Sequence, residues 1–283
     1  MSQAVDVTAT PATKNSWPAI NRLTPSDVLE ALDHGIRDFR AAPKYGLFFG
    51  AFYAVAGWLL VALVFYFDQP YLAYPLATGF ALFAPFAATG LYAVSRKLER
   101  GEPLNWANVL GSVRAVSGRE LAWMAVVTVF TLIIWLDIAA FLFFAFMGFG
   151  GGTSDNLVNE ILTTSRGWVF LTIGNIVGAI LAGVVFSYSA LSFPMLYDRN
   201  VDFVTAMVTS VKTVLQNPTG MATWAIIIAV HLALSLVSLF AGLVIVLPIL
   251  GHTTWHIYRK AIGPSGGTTE NPTEGKDSAA TAS

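Results

Sequence analysis

The chain has no cysteine among its 283 residues. That absence removes disulfides, thiolate catalysis, zinc ribbons and iron–sulfur ligation together. Charge is scarce as well: Asp, Glu, Lys and Arg make up 12% of the sequence, about half of what an ordinary globular domain carries. With a formal net charge of −1, nucleic acid is not an expected partner. A Walker loop, a GxSxG elbow, an HExxH pair and carboxylates paired across a cleft are all missing, so no enzyme is expected. Residues 1–44 hold no apolar core with a small-residue cleavage site. The first apolar run, from Tyr45, is therefore expected to direct membrane insertion itself.

What the chain has is long apolar runs; 55% of it is hydrophobic. A bilayer core of about 30 Å needs about 20 apolar helical residues. Segments 45–67, 71–95, 121–147 and 168–196 fit one span each. The run 221–258 would make a helix of about 57 Å, too long for a single crossing. It divides into 221–238 and 242–258 with a tight turn near Ser238–Gly242. Six spans with both termini inside put fifteen of the sixteen Lys and Arg residues on the cytoplasmic side and Arg166 alone opposite, a strong positive-inside bias. This predicts a multi-pass membrane protein with both termini in the cytoplasm. Residues 1–24 and 263–283, rich in Gly, Pro, Ser and Thr, are expected as disordered tails, leaving 25–262 as the membrane domain.

The stretches leading into the odd-numbered spans resemble one another. Each carries a small residue, an aliphatic and a base in a row: Gly35-Ile36-Arg37, Ser112-Val113-Arg114 and Ser210-Val211-Lys212. Six residues beyond each base come Pro43, Glu120 and Pro218, and Pro85 and Pro248 each lie eleven residues before a base. The expected fold is therefore all-α: three transmembrane hairpins, each preceded by a cytoplasmic amphipathic helix at the membrane interface. Basic residues on such helices face anionic lipid headgroups.

The blocks "GIRDFRAAPKYGLFFG", "GLYAVSRKLERGE", "FPMLYDRNVDFVTAMVTSVKTVLQNP" and "LPILGHTTWHIYRK" resemble a proteobacterial family of uncharacterised integral membrane proteins, over roughly residues 26–262. Some members carry labels likening them to cytochrome c oxidase subunit I. That subunit needs twelve spans and several histidine ligands in distinct helices, which this chain does not supply. The resemblance implies an inner-membrane location and no particular activity.

Few side chains are candidates for a site. His252 and His256 sit at i and i+4, a spacing at which two imidazoles share one helix face. His231 is a conceivable third ligand for a metal or haem, and His34 lies on the first interfacial helix at the same membrane face as His256. The competing reading makes the block a membrane boundary: Trp255 and Tyr258 as belt aromatics, Arg259 and Lys260 as snorkelling anchors, the histidines as polar packers. On that reading no cofactor is expected. Asp137 is the one carboxylate well inside a span, and Asn175 lies at similar depth in the next; a hydrogen bond across the hairpin would satisfy both, and an ion or proton site is the alternative. Gly46 and Gly50, and Gly174 and Gly178, form small-residue stripes suited to close helix packing. The leading expectation is a non-catalytic accessory or assembly factor for a membrane complex. The rival is a small transporter or metal- or haem-binding protein using Asp137, His231, His252 and His256.

Overall fold

The computed structural model describes residues 18–66, 88–115, 118–148 and 154–263. Every regular element among them is helical: α1 (Pro25–Ala41), α2 (Pro43–Phe65), α3 (88–99), α4 (Trp106–Ala115), α5 (Arg119–Met147), α6 (Ser154–Thr163), α7 (Ser165–Ser189), α8 (Ser192–Asp198), α9 (Phe203–Gln216), α10 (Pro218–Val237) and α11 (Leu243–Ile262). Three stretches of the described chain are long and apolar enough to cross a membrane: Arg119–Met147, Ser165–Asp198 and Pro218–Ser235. In chain order, the short helices α1, α4 and α9 directly precede the long apolar helices α2, α5 and α10. The expected span 71–95 is described only from residue 88, so most of it, with Pro85, lies outside the described residues.

Local chemistry sets the helix ends. Thr24 caps α1 reciprocally: its hydroxyl accepts from the Asp27 amide, and the Asp27 carboxylate accepts from the Thr24 amide at 2.8 Å, a capping box that satisfies two orphan donors. Asn105, Thr164 and Asp202 cap α4, α7 and α9 with side-chain oxygens. Between α10 and α11 the chain reverses at 238–242, forcing Leu239 (φ 50°) and Phe240 (φ 66°) into the left-handed region.

α11 is the central helix. It packs antiparallel to α1 and lies against α2. The approach is close enough that a Cβ at Gly35 would strike Thr253, and one at Gly50 would strike the Val244 carbonyl. Gly46 faces Phe39 and Pro248 in the same seam. Around α11 lie the fully buried Trp224, Trp255, Tyr258, Met195 and Leu191. The hairpin of α5 and α7 stands to one side, and α6 packs on α7.

Three details depart from expectation. The fourth apolar run is two helices, not one: it breaks at Ala190–Leu191, where the Leu191 amide donates to Ser210 Oγ (3.2 Å) and Pro194, in the first turn of α8, has no amide to offer. Gly148 (φ 79°) ends α5, and the connection to α7 contains a helix, α6, that was not anticipated. Residues 18–24 are packed: Leu23 is buried, its amide donates to Asn217 Oδ1 at 2.7 Å, and the Asn21 amide donates to the Ala261 carbonyl. One apolar side chain and a matched set of backbone bonds suffice to dock a stretch whose composition looks like a tail. The remaining expected tail residues, 1–17 and 264–283, lie outside the described residues.

Candidate functional site

α1 places Asp27, Glu30, His34 and Asp38 on one stripe at three- and four-residue steps. α11, running the other way, sets Lys260 and His256 against that stripe. Lys260 Nζ reaches Glu30 at 2.8 Å and Asp27 at 3.4 Å. Burial lowers the Lys260 pKa, but those two carboxylates outweigh it and hold the ammonium above its ordinary value. His256 Nε2 donates to Asp38 Oδ2 at 2.8 Å, and the His34 ring lies 5.2 Å from that of His256.

From Asp38 a polar chain runs inward. Asp38 also accepts from the Ser95 hydroxyl on α3, and Ser95 Oγ lies 2.7 Å from His252 Nδ1. An ionised carboxylate only accepts, so the single Ser95 proton points to Asp38, and His252 Nδ1–H donates to Ser95. This tautomer leaves His252 Nε2 as an acceptor. That atom is buried and has no partner. Burial would raise the Asp38 carboxyl, but the hydrogen bonds from His256 and Ser95 outweigh it and hold the group below its ordinary 3.8.

A second set of bonds closes the C-terminal end of α11. Arg259 donates twice to Glu99 Oε1, at 2.8 and 3.1 Å, while Trp255 Nε1 donates to Glu99 Oε2 at 3.2 Å. Tyr258 OH donates to Asp198 Oδ2 and accepts from Arg199 Nε, both at 2.9 Å. Arg199 also donates to the carbonyls of Ile262 and Gly263, the otherwise unpaired end of the helix. Asp198, nearly fully buried, lies 3.7 Å from Arg96 and 3.6 Å from Arg259. These bonds tie α1, α3 and α8 to α11. We call this unit the base.

The geometry corrects the boundary reading of the block 247–260. Trp255 and Tyr258 are fully buried, not belt residues, and Arg259 and Lys260 are paired within the protein. Aromatics with polar handles serve an intramolecular junction as well as an interface, and the sequence spacing is the same for both. His252 and His256 turn to different helices, α3 and α1, so they do not share a ligand face. His231 Nδ1 bonds the Ile227 carbonyl of its own helix. Among the described residues no three His, Asp or Glu side chains gather as a metal-binding group.

The expected bond between Asp137 and Asn175 is not formed. Asn175 Nδ2 donates to the Leu171 carbonyl of its own helix at 2.8 Å, and Asp137 is exposed, with no partner among the described residues. The depth matches but the rotation does not. Trp135, Ala139 and Leu142 line the groove against α7, and Asp137 sits two residues from the first two, about 200° around the helix. Gly46 and Gly50 serve the α2–α11 seam; Gly178 meets the Trp135 ring, whereas Gly174 has nothing near its open side. Ser95, Asp38, Glu99 and Asp198 belong to the site and were not anticipated. The acidic stripe on α1 facing the bases of α11 was the available signal for Asp38.

Two hollows flank the hairpin. One of about 560 Å³ lies between α5 and α7 on one side and α3, α10 and α11 on the other. Another, of about 510 Å³, is lined by α5 and α7 alone and shares Trp135, Gly178 and Ala182 with the first.

Apolar helices of membrane-crossing length, wrapped in exposed Phe, Ile, Val and Leu, define an integral membrane protein. Residues 73–198 match the model of a family described as "Predicted integral membrane protein (DUF2189)", so over that stretch the chain is similar to an uncharacterised membrane family. No curated protein and no solved structure matches the chain.

Proposed function

We propose that this is a six-span protein of the bacterial inner membrane, with both termini in the cytoplasm, acting as a non-catalytic accessory or assembly factor for a membrane complex. The spans are α2, the run 71–95, α5, α7, α10 and α11, arranged as three hairpins; the distribution of basic residues supports the orientation. α1, α4 and α9 then lie on the cytoplasmic side near anionic headgroups.

The observation that carries the accessory role is Asp137. A carboxylate at membrane depth is costly and is normally paired or turned inward. Here it points outward from α5, while the base spends its charged groups on one another. A neighbouring transmembrane helix carrying a Lys, Arg, His or amide at that depth would satisfy it. The test is the size of the native particle released from membranes in mild detergent. Wild type should run as an assembly well above the 30.4 kDa chain, and Asp137→Leu should run as the single chain with its thermal stability intact. A wild type that runs alone, or an Asp137→Leu variant that stays in the assembly, sinks the reading.

One observation favours the alternative of a small transporter or metal- or haem-binding protein: the unpartnered His252 Nε2. Stoichiometric metal, or a Soret band lost in His252→Gln, would establish it.

A further inference from the structure

We propose that the hollow between the α5–α7 hairpin and the base is a binding site for a hydrocarbon chain, supplied by a phospholipid of the leaflet beside the base. Its volume, about 560 Å³, falls within the range of about 300–1,000 Å³ of built ligand sites. Among the described residues no charged side chain lines it, and its walls include the rings of Tyr92, Trp135, Phe186, Tyr188 and Trp224.

Four of the hydroxyls on its wall are already engaged. Thr128 donates to the Met124 carbonyl, Thr131 to Val127, Thr254 to Leu250, and Tyr188 to Thr131. Water in a cavity needs two to four polar partners for each molecule, and apart from the hydroxyls of Ser189 and Tyr92 the rest of this wall is apolar or already bonded. An ionic cargo has nothing to pair with here. Hydrocarbon fits.

Position argues for the source. The lining residues of α7 run from Gly178 to Ser189, about 17 Å of helix, close to one leaflet of a core about 30 Å thick. At Trp135 and Gly178, which pack against each other, the hollow borders the groove lined by α5 and α7. Among the described residues no third element covers that groove. Inside the hollow a hydrocarbon chain lies against Trp224, which is only 1% exposed. The site is independent of any partner at Asp137, which lies on the opposite side of α5.

Trp224 is the reporter. The full chain is reconstituted in vesicles of dioleoylphosphatidylcholine or of its dibrominated form, whose bromines quench indole on contact. The difference between wild type and Trp224→Phe isolates the Trp224 emission. We expect most of that emission to be lost in brominated vesicles and recovered when Val185→Phe fills the hollow from the α7 wall; exposed Trp168 stays quenched in both. Unquenched Trp224, or quenching that persists in Val185→Phe, overturns the site. A second measurement does not depend on the variant folding: the native mass of wild type after detergent exchange should include a retained glycerophospholipid. A bare chain overturns the site, and a free fatty acid or isoprenoid in its place overturns the phospholipid source.

Discussion

The base and the α5–α7 hairpin are built from similar residues and use them in opposite ways. In the base, Trp255 and Tyr258 are fully buried and their polar atoms are paired, while on the hairpin Phe141 and Ile180 are 71% and 65% exposed. Gly50 admits a neighbouring backbone; Gly174 faces open space. Asp38 and Asp198 are locked in networks, and Asp137 is not. A polar residue in an apolar chain thus has two fates: it builds the fold, or it is left for something outside the chain.

The largest expected effect of a substitution lies in the base. Asp198→Ala removes the acceptor of Tyr258 and the carboxylate beside Arg96 and Arg259. Loss of a buried ionic partner costs about 3 kcal/mol or more; Arg96 and Arg259 retain some solvent contact, which places this site at the lower end. Equilibrium unfolding in detergent measures it. Next comes a matched pair of glycines. Gly50→Leu should cost about 2 kcal/mol through overpacking against α11, and Gly174→Leu less than about 0.5 kcal/mol. Equal losses would erase the distinction between the two regions.

A subtler effect is acid sensitivity. The Asp38 pKa is depressed in the folded protein, so its contribution is complete above the ordinary 3.8 and fades as pH falls through the lowered value. Asp38→Asn should therefore be less stable than wild type near neutrality, with the gap closing as pH falls below the ordinary 3.8. A gap that does not change with pH would mean that the carboxylate is not stabilised by His256 and Ser95. Smallest of all, Asp137→Leu should leave the unfolding midpoint of the purified chain unchanged or slightly raised, since it breaks no bond among the described residues.

Parts of this were open to reading in the sequence. The amphipathic pattern of α1 and the length of the run 221–258 locate α1 and the reversal at 238–242, because period and span length are local properties. The direction Asp137 faces was not legible. α5 is apolar all round, so it has no polar face to set its rotation, and the groove residues Trp135, Ala139 and Leu142 differ little in kind from their neighbours. Ser95 was equally silent: a serine near a helix end has no pattern, and its place between Asp38 and His252 exists only after α1, α3 and α11 meet. Pro194 did carry a signal, for the break into α8, that the apolar run around it concealed.

The contrast between an inward-spent base and an outward-facing hairpin is most directly measured by oxygen accessibility of single spin labels in bilayers, using cysteines introduced into this cysteine-free chain. Labels at Asp137→Cys, Trp135→Cys and Ala139→Cys on α5, and at His256→Cys on α11, sample both regions. The account predicts the highest accessibility to lipid-dissolved oxygen at 137, lower values at 135 and 139, and the lowest at 256. A label at 137 as protected as those at 135 and 139 would contradict it.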